Sequence, residues 1–224
     1  MSLILHIDTA VQSSSVCLAN GENIIATLVN PSEKDSASWL HVAIQDILKQ
    51  NNCLPKQLQA IAVSAGPGSY TGLRVGMAAA KGLCYALSIP LIPISTLQMM
   101  AAAVQNPSTP LLCPMIDARR MEVFTALYDT SLQEVMPATN LVLQENSFSN
   151  WLNDRTITFF GNGSNKAATI IHHRNATFAS ITVTAAEMAS LAAKKFELHQ
   201  FSDLAYSEPF YGKDFYSIIS KKKY

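Results

Sequence analysis

The sequence predicts an α/β protein built as two related lobes. Short apolar runs, typical of buried strands, alternate with longer segments of helical periodicity along the 224 residues. The cluster Asn106-Pro107-Ser108-Thr109-Pro110 is a loop signal, and the alternation resumes after it. Each half opens with an apolar strand that ends in an aspartate, Asp8 and then Asp117. We therefore predict a duplicated architecture, with lobes at 1–107 and 108–224.

The first half is expected to run β-β-β-α-β-α-β-α. The segment Asn20-Gly21-Glu22 is a hairpin signal between the second and third strands. Leu40 and Ile44 fall on one face of the first helix, together with Ile47 and Leu48. The predicted elements are strands at 3–8, 14–20, 23–29, 60–64 and 90–94 and helices at 36–50, 69–87 and 96–104.

The second half repeats the order of strands and helices less regularly. Gly161-Asn162-Gly163 ends one apolar run, and Thr184 is a suitable N-cap for a strong helix. The predicted elements are strands at 111–116, 123–128, 141–143 and 156–160, helices at 148–151 and 185–196, and a helix that begins at 164.

The helix at 69–87 carries a stripe of small residues. Ser69 is a plausible N-cap, and Gly72, Gly76 and Ala80 recur at four-residue intervals. Each glycine inside a helix costs about 1 kcal/mol relative to alanine, so something is expected to approach the helix backbone closely. The helix N-terminus could bind an anion such as phosphate, or the glycines could only shape a turn and pack helix on helix. A second helix in that packing could belong to this chain or to another one.

Composition narrows the classes of function. Sixteen basic and sixteen acidic residues give a balanced charge, which argues against a broad nucleic-acid footprint. Charged residues are only 14% of the chain, which either a large core or a partner-covered surface would explain. Four scattered cysteines indicate reduced thiols, so we expect a cytoplasmic protein. Neither a signal peptide nor a membrane span is expected.

The residue patterns indicate no self-sufficient catalytic site. The histidines form neither H-x-x-x-H nor H-E-x-x-H, so no metal is expected. Ser69 lies in Gly-Ser-Tyr rather than in a G-x-S-x-G elbow, and the thiols have no evident histidine partner in the sequence.

Several motifs together resemble the bacterial TsaB proteins, also called YeaZ. The main one is Gly66-Pro67-Gly68-Ser69-Tyr70-Thr71-Gly72-Leu73-Arg74. Ile7-Asp8-Thr9, Ile116–Phe124 and Glu208-Pro209 support it. The resemblance spans the chain and is strongest from residue 1 to about 125. It implies the two-lobed actin-like, sugar-kinase and Hsp70-like (ASKHA, ribonuclease H-like) fold.

The resemblance also implies a function. TsaB proteins are the non-catalytic partner of the transferase TsaD in threonylcarbamoyladenosine synthesis on tRNA, with the ATPase TsaE as third component. The expected role is a scaffold without a cofactor that contacts tRNA only through the complex and pairs with itself when alone. The alternative is an ATP-binding or hydrolytic enzyme, as the older glycoprotease label suggests.

Two groups of residues follow from this resemblance. Partner binding is expected on the helices at 36–50 and 69–87, through Leu40, Ile44, Gly72, Arg74, Gly76, Ala79, Ala80 and Leu83. A vestigial nucleotide site is expected at Asp8, Thr9, Asp117, Gly161 and Gly163. Neither aspartate is followed by the glycine that phosphate binding requires, and both could simply cap turns. The segment Phe210-Tyr211-Gly212-Lys213 departs from the family pattern, and its contact stays open.

Overall fold

Two five-stranded sheets organise the part of the chain that the structure describes, residues 2–32 and 35–212 of a computed structural model. The first sheet contains β1 Leu3–Asp8, β2 Ser15–Asn20, β3 Asn23–Val29, β4 Ala60–Ser64 and β5 Leu91–Ile94. The second contains β6 Leu111–Asp117, β7 Glu122–Asp129, β8 Glu134–Val142, β9 Ile157–Phe160 and β10 Ala176–Ala179. The helices are α1 Ser36–Gln50, α2 Tyr70–Leu87, α3 Thr96–Ala102, α4 Ser149–Leu152, α5 Ser164–Ala168 and α6 Ala189–Glu197, with short 3₁₀ helices at Pro55–Gln57 and Ala185–Met188.

The two sheets share one topology. The first has the order β3-β2-β1-β4-β5, and the second has the equivalent order β8-β7-β6-β9-β10. In each, the first three strands pair antiparallel, the fourth pairs in parallel with the first, and the fifth pairs in parallel with the fourth. The predicted duplication is therefore confirmed, although no residue-level repeat betrays it.

The packed layers place α3 between the lobes. Leu5 and Ile7 of β1 face α1 and α2, whereas Ile4 faces Met188 and Ala192 at the start of the C-terminal helical region. Buried residues of α3 join the opposing face of the second sheet in one apolar cluster. The outer face of the second sheet packs against α4 and α5. Because Met99 of α3 lies in the cluster of the first sheet, this helix packs against both sheets.

Three elements differ from the prediction. The strand predicted at 141–143 begins seven residues earlier, as β8 Glu134–Val142. The strand β10 was not predicted, because it is a short, partly exposed edge strand without an apolar run. The predicted helix at 185–196 begins instead as the 3₁₀ helix Ala185–Met188 before α6. Thr184 caps it as expected, since its hydroxyl oxygen accepts from the N–H of Ala186.

The segment after the second sheet returns to the first. Ala185, Met188 and Ala192 are buried against the first sheet, and the N–H of Ser202 donates to the carbonyl of Leu91 at its edge. The division into lobes at 1–107 and 108–224 remains a prediction. This segment bears on it, because the segment follows the second sheet in the chain but packs on the first. Lys213 and the rest of the C-terminus lie outside the described residues.

Candidate functional site

The inner face of α2 is closed by this chain itself. Gly72, Gly76 and Ala80 are buried, and Thr9 lies directly against the helix. The hydroxyl of Thr9 donates to the carbonyl of Gly72 over 2.7 Å. A Cβ at Gly72 would fall on the Thr9 carbonyl oxygen, and one at Gly76 would meet the Thr9 hydroxyl. The expectation that this stripe receives a foreign helix is wrong, because the loop after β1 already occupies the space.

The two α1 residues predicted for the interface are also core residues. Leu40 is fully buried and Ile44 is 6% exposed, both in the cluster between α1, α2 and the first sheet. An apolar helical face predicts burial equally well against the chain's own sheet or against a partner, and here the sheet covers it. Of the predicted interface, Arg74 is exposed, Leu83 is half-buried and Ala79 is 7% exposed.

A groove runs along the outer side of the same two helices. It has a volume of about 460 Å³ and a mostly apolar lining. The lining residues are Ala37, His41, Val75, Ala78, Ala79, Gly82 and Leu83. A Cβ at Gly82 would meet nothing within 4 Å, so the groove is open above this glycine. Val42 on α1 and Tyr85 on α2 are 55% and 82% exposed, which adds apolar surface to the two helices.

The sequence contained a signal for this groove. Ala78, Gly82 and Ala86 recur at the same four-residue interval as the inner stripe, and all three are exposed. Spacing alone does not tell which of two small-residue stripes on one helix is covered. The inner stripe contains two glycines and the outer stripe contains one.

A larger cleft of about 1140 Å³ separates the lobes. Thr9, Asp117 and Gly161 of the predicted nucleotide site line it, whereas Asp8 and Gly163 are buried behind its wall. The structure thus brings the predicted residues to one region. Their hydrogen bonds and neighbours determine what that region can bind.

Asp8 is enclosed by its own lobe. Its Oδ1 accepts from the hydroxyl of Ser64 over 2.6 Å and from the N–H of Ala10 over 2.9 Å. Its Oδ2 is buried without a hydrogen-bond partner among the described residues. Burial raises the pKa of Asp8 to about 6, although the two hydrogen bonds favour the charged form. This carboxylate caps a turn, and no local pattern in the sequence predicts its partner Ser64, which is 56 residues away.

Asp117 is exposed to the cleft but already paired. Its Oδ1 lies 2.6 Å from Nζ of Lys166 and accepts from the N–H of Arg119 at 2.6 Å. Partial burial opposes ionisation, but these two hydrogen bonds and the lysine charge together lower the pKa of Asp117. A metal ion at Oδ1 of Asp117 would compete with Lys166 for the same oxygen. Among residues 2–32 and 35–212, no group of three or more His, Cys, Asp and Glu side chains is placed to hold a metal.

The glycine turn after β9 serves internal packing. Gly161 has a φ of +90°, and a Cβ there would collide with Met115 and Met100. A Cβ at Gly163 would lie 3.0 Å from Ile116 and from Val123. The side chain of Asn162 accepts from the N–H of Asp117 over 2.9 Å. Close approach of this chain's own strands therefore explains both glycines without a bound adenosine.

The N-terminus of α2 likewise has internal partners. The side chain of Ser69 accepts from the N–H of Gly72 over 3.2 Å, as the sequence predicted for an N-cap. The N–H of Ser69 donates to the carbonyl of Ala10 over 2.9 Å. These contacts take up donors that an anion at a helix N-terminus would use.

Burial shifts the pKa of several titratable groups that lie away from the cleft. Burial lowers the pKa of His6 to about 4, so this ring is neutral near pH 7. Burial also raises the pKa of Cys17 and Cys84 to about 11 and that of Cys113 to about 12. These thiols are protonated at neutral pH and are poor nucleophiles.

None of the described helices has the length and hydropathy needed to cross a bilayer.

A duplicated two-lobed α/β body with a cleft between its sheets places the protein in the actin-like, sugar-kinase and Hsp70-like class. YeaZ from Pseudomonas aeruginosa has the same fold, with a TM-score of 0.79, 23% identity, and coverage of 94% of this chain and 100% of that one.

Sequence comparison identifies the family within this class. The family model described as "TsaD: tRNA N6-adenosine threonylcarbamoyltransferase" matches residues 29–208. The "tRNA threonylcarbamoyladenosine biosynthesis protein TsaB" of Bacillus subtilis is 33% identical over 166 residues, 70% of each chain. The protein of that name from Escherichia coli is 36% identical over 127 residues, 56% of this chain and 54% of the other. The chain belongs to the TsaB (YeaZ) family.

Proposed function

We propose that this protein is a non-catalytic subunit that binds the transferase TsaD in threonylcarbamoyladenosine synthesis. In this proposal TsaD transfers threonylcarbamoyl to N6 of adenosine 37 in ANN-decoding tRNAs, and this chain supports its active conformation. The names of the relatives support the pathway. Two observations support the non-catalytic role within that pathway. The groove on α1 and α2 is open, whereas the carboxylates at the cleft already have partners within this chain.

The open space above Gly82 is the observation that carries the proposal. Helices pack with axes about 8–10 Å apart, and small side chains at the contact allow the closer end of that range. Ala78 and Gly82 leave such room on α2, while Val75 and Leu83 border it with apolar surface. A helix of TsaD laid along this groove would bury these residues. A standard interface of about 800 Å² per partner would also include exposed side chains such as Val42 and Tyr85.

The internally paired cleft explains why a scaffold role is favoured over chemistry. Asp8 is buried beneath Ser64, and Asp117 pairs with Lys166. The two carboxylates that would position a metal and phosphates in a working site of this fold therefore both have structural partners. On this proposal TsaE joins as the third subunit, tRNA is met only through the complex, and the protein works in the cytoplasm.

The same groove predicts self-association when TsaD is absent. A patch that fits a related helix pair of a homologous fold also fits its own copy, so the isolated chain is expected to form a homodimer. The homodimer and the complex with TsaD would then compete for one surface.

Co-expression with TsaD of the same organism tests the proposal. Light scattering after size exclusion should give the mass of one copy of each chain, with no homodimer of this chain left. Cells that lack this chain should lose the modification at adenosine 37, and re-expression should restore it. Separate elution of the two proteins at micromolar concentration would contradict the partnership.

One observation supports a second candidate, an enzyme that binds ATP. The cleft of about 1140 Å³ exceeds the volume of most ligand pockets, and Asp117 and Asn162 face it where this fold binds nucleotides in its catalytic members. Calorimetry of the isolated chain with ATP and Mg²⁺ separates the two candidates. Micromolar binding with turnover would favour the enzyme, and heat no greater than that of dilution would favour the scaffold.

A further inference from the structure

Arg74 is an exposed cation that is held in place by two aromatic rings. Its Cζ lies 4.3 Å from the ring centroid of Tyr70 and 5.9 Å from that of Tyr211. Its Nε donates to the hydroxyl of Tyr211 over 3.3 Å, and the two rings lie 5.1 Å apart. Stacking and a hydrogen bond together restrict a side chain that is otherwise long and mobile.

One of the two rings is supplied by the C-terminal strap, which we define as residues 202–212. The N–H of Phe210 donates to the carbonyl of Ala65 over 2.7 Å, next to Gly66. A Cβ at Gly66 would fall on the Phe210 carbonyl oxygen, so this glycine is required for the strap to pass. Lys81 of α2 donates to the carbonyls of Ala205 and Ser207 at 3.2 and 3.1 Å. Tyr211 is thus fixed beside α2 by contacts on both sides of Arg74.

Within the described residues, the hydrogen bond of Arg74 to Tyr211 uses only the Nε donor of the guanidinium. The ion pair found among these residues joins Lys166 to Asp117 and does not involve Arg74. The Nη donors, which form a planar fork with Nε, have no carboxylate from this part of the chain. Arg74 also lies one helical turn before Ala78, on the exposed face of α2 that leads into the groove.

We propose that Arg74 is a preorganised receptor for a carboxylate of the partner protein, with Tyr70 and the strap residue Tyr211 as its positioning residues. This inference rests on the proposed function and names the partner group that meets the N-terminal end of α2. A planar fork binds a carboxylate in a bidentate manner, and fixing the fork beforehand lowers the entropy lost on binding.

The surroundings favour a carboxylate over an RNA phosphate. RNA binding draws on several cations, whereas Lys81, the other basic residue of α2, is directed to backbone carbonyls of the strap. Asp203 and Glu208 of the strap are exposed, and they offset the positive charge of this region. Arginine is enriched among the residues that dominate protein–protein contacts, so an arginine oriented in advance fits such a contact.

Affinity for TsaD of the same organism, measured by calorimetry at two salt concentrations, tests the inference. Arg74→Gln should weaken binding about 30-fold and Arg74→Lys about tenfold, because lysine keeps the charge but not the fork. Lys49→Gln is the matched control, since it removes one exposed charge from the end of α1 and should change affinity by less than about twofold. Arg74 is exposed, so all three variants should keep the wild-type melting temperature.

A double-mutant cycle tests the positioning role of the strap. Tyr211→Ala should weaken binding about fivefold in the wild-type background and have no effect when Arg74 is already glutamine. Equal losses in both backgrounds would show that Tyr211 acts independently of Arg74 and would overturn the positioning claim.

The remaining outcomes separate the inference from the proposed function. Unchanged affinity of Arg74→Gln, with wild-type binding intact, would overturn the inference alone. An affinity for TsaD that is retained, together with a loss of binding to tRNA by the complex, would identify a phosphate receptor and would also overturn it. Failure of the wild-type chain to bind TsaD would overturn both.

Discussion

Glycines on opposite sides of α2 have different roles. Gly72 faces inward, and the carbonyl of Thr9 occupies the place where its side chain would be. Gly82 faces outward, and no atom lies within 4 Å of an added Cβ. The inner glycine is required by the fold of this chain, whereas the outer one leaves room for something else. A small residue therefore indicates close approach only after its surroundings are known.

The largest expected effect is a difference in the free energy of unfolding between substitutions at Gly72 and at Gly82. Gly72→Ala should lower the free energy of unfolding by about 3 kcal/mol or more, because a backbone oxygen cannot move aside as a side chain can. Gly82→Ala, the matched control, should raise it by up to about 1 kcal/mol, since alanine favours the helix and meets nothing. Urea denaturation of both variants measures the difference. Equal effects at the two positions would contradict the assignment of the inner face.

Two buried residues of β1, His6 and Asp8, predict a pH dependence of the free energy of unfolding. The pKa of Asp8 is raised to about 6, so the folded chain holds an extra proton between about pH 4 and 6, and stability falls as pH rises there. The pKa of His6 is lowered to about 4, so the unfolded chain holds the extra proton up to about pH 6.5, and stability rises over nearly the same window. In the wild type these contributions should largely cancel.

Removing either group should therefore reveal the other. Asp8→Asn keeps the acceptor for Ser64, and the free energy of unfolding should then rise by about 2 kcal/mol from pH 4 to 6.5. His6→Leu should give a fall of similar size between pH 4 and 6. Denaturant midpoints at half-unit pH intervals measure both slopes. Slopes of the same sign in the two variants would refute the opposing assignment.

The smallest effect is expected at the cleft. Lys166→Met removes the cation beside Asp117 and should destabilise the fold by less than about 1 kcal/mol, because the pair is partly exposed. The pKa of Asp117, followed by carbon NMR of its carboxyl group, should rise in this variant. If ATP and Mg²⁺ bind to Lys166→Met and not to the wild type, the cleft is a blocked nucleotide site. An unchanged pKa of Asp117 would show that the pair does not govern this carboxylate.

Much of the fold could be predicted from the sequence, because strong local signals coincide with the elements. The continuous apolar run before Asp8, the hairpin signal at Gly21 and the Ser69 cap each correspond to a feature of the structure. The strand β10 could not be predicted, since a short edge strand needs few apolar residues.

The candidate site was harder to predict, because its residues depend on contacts between distant parts of the chain. The loop at Thr9 covers Gly72, Ser64 caps Asp8, and Lys166 reaches Asp117, over separations of about fifty residues or more. No local pattern records such contacts. The sequence pattern therefore indicated the inner face of α2, which this chain covers, whereas the open groove lies along the outer face.

The affinity of Gly82 variants for TsaD tests most directly whether the outer face of α1 and α2 is the docking surface. Calorimetry should compare the wild type with Gly82→Ala and Gly82→Leu, after melting curves confirm that all three fold. The account predicts that Gly82→Leu binds about 100-fold more weakly because leucine fills the groove, while Gly82→Ala stays within about threefold of the wild type. Wild-type affinity in a folded Gly82→Leu variant would show that the partner docks elsewhere.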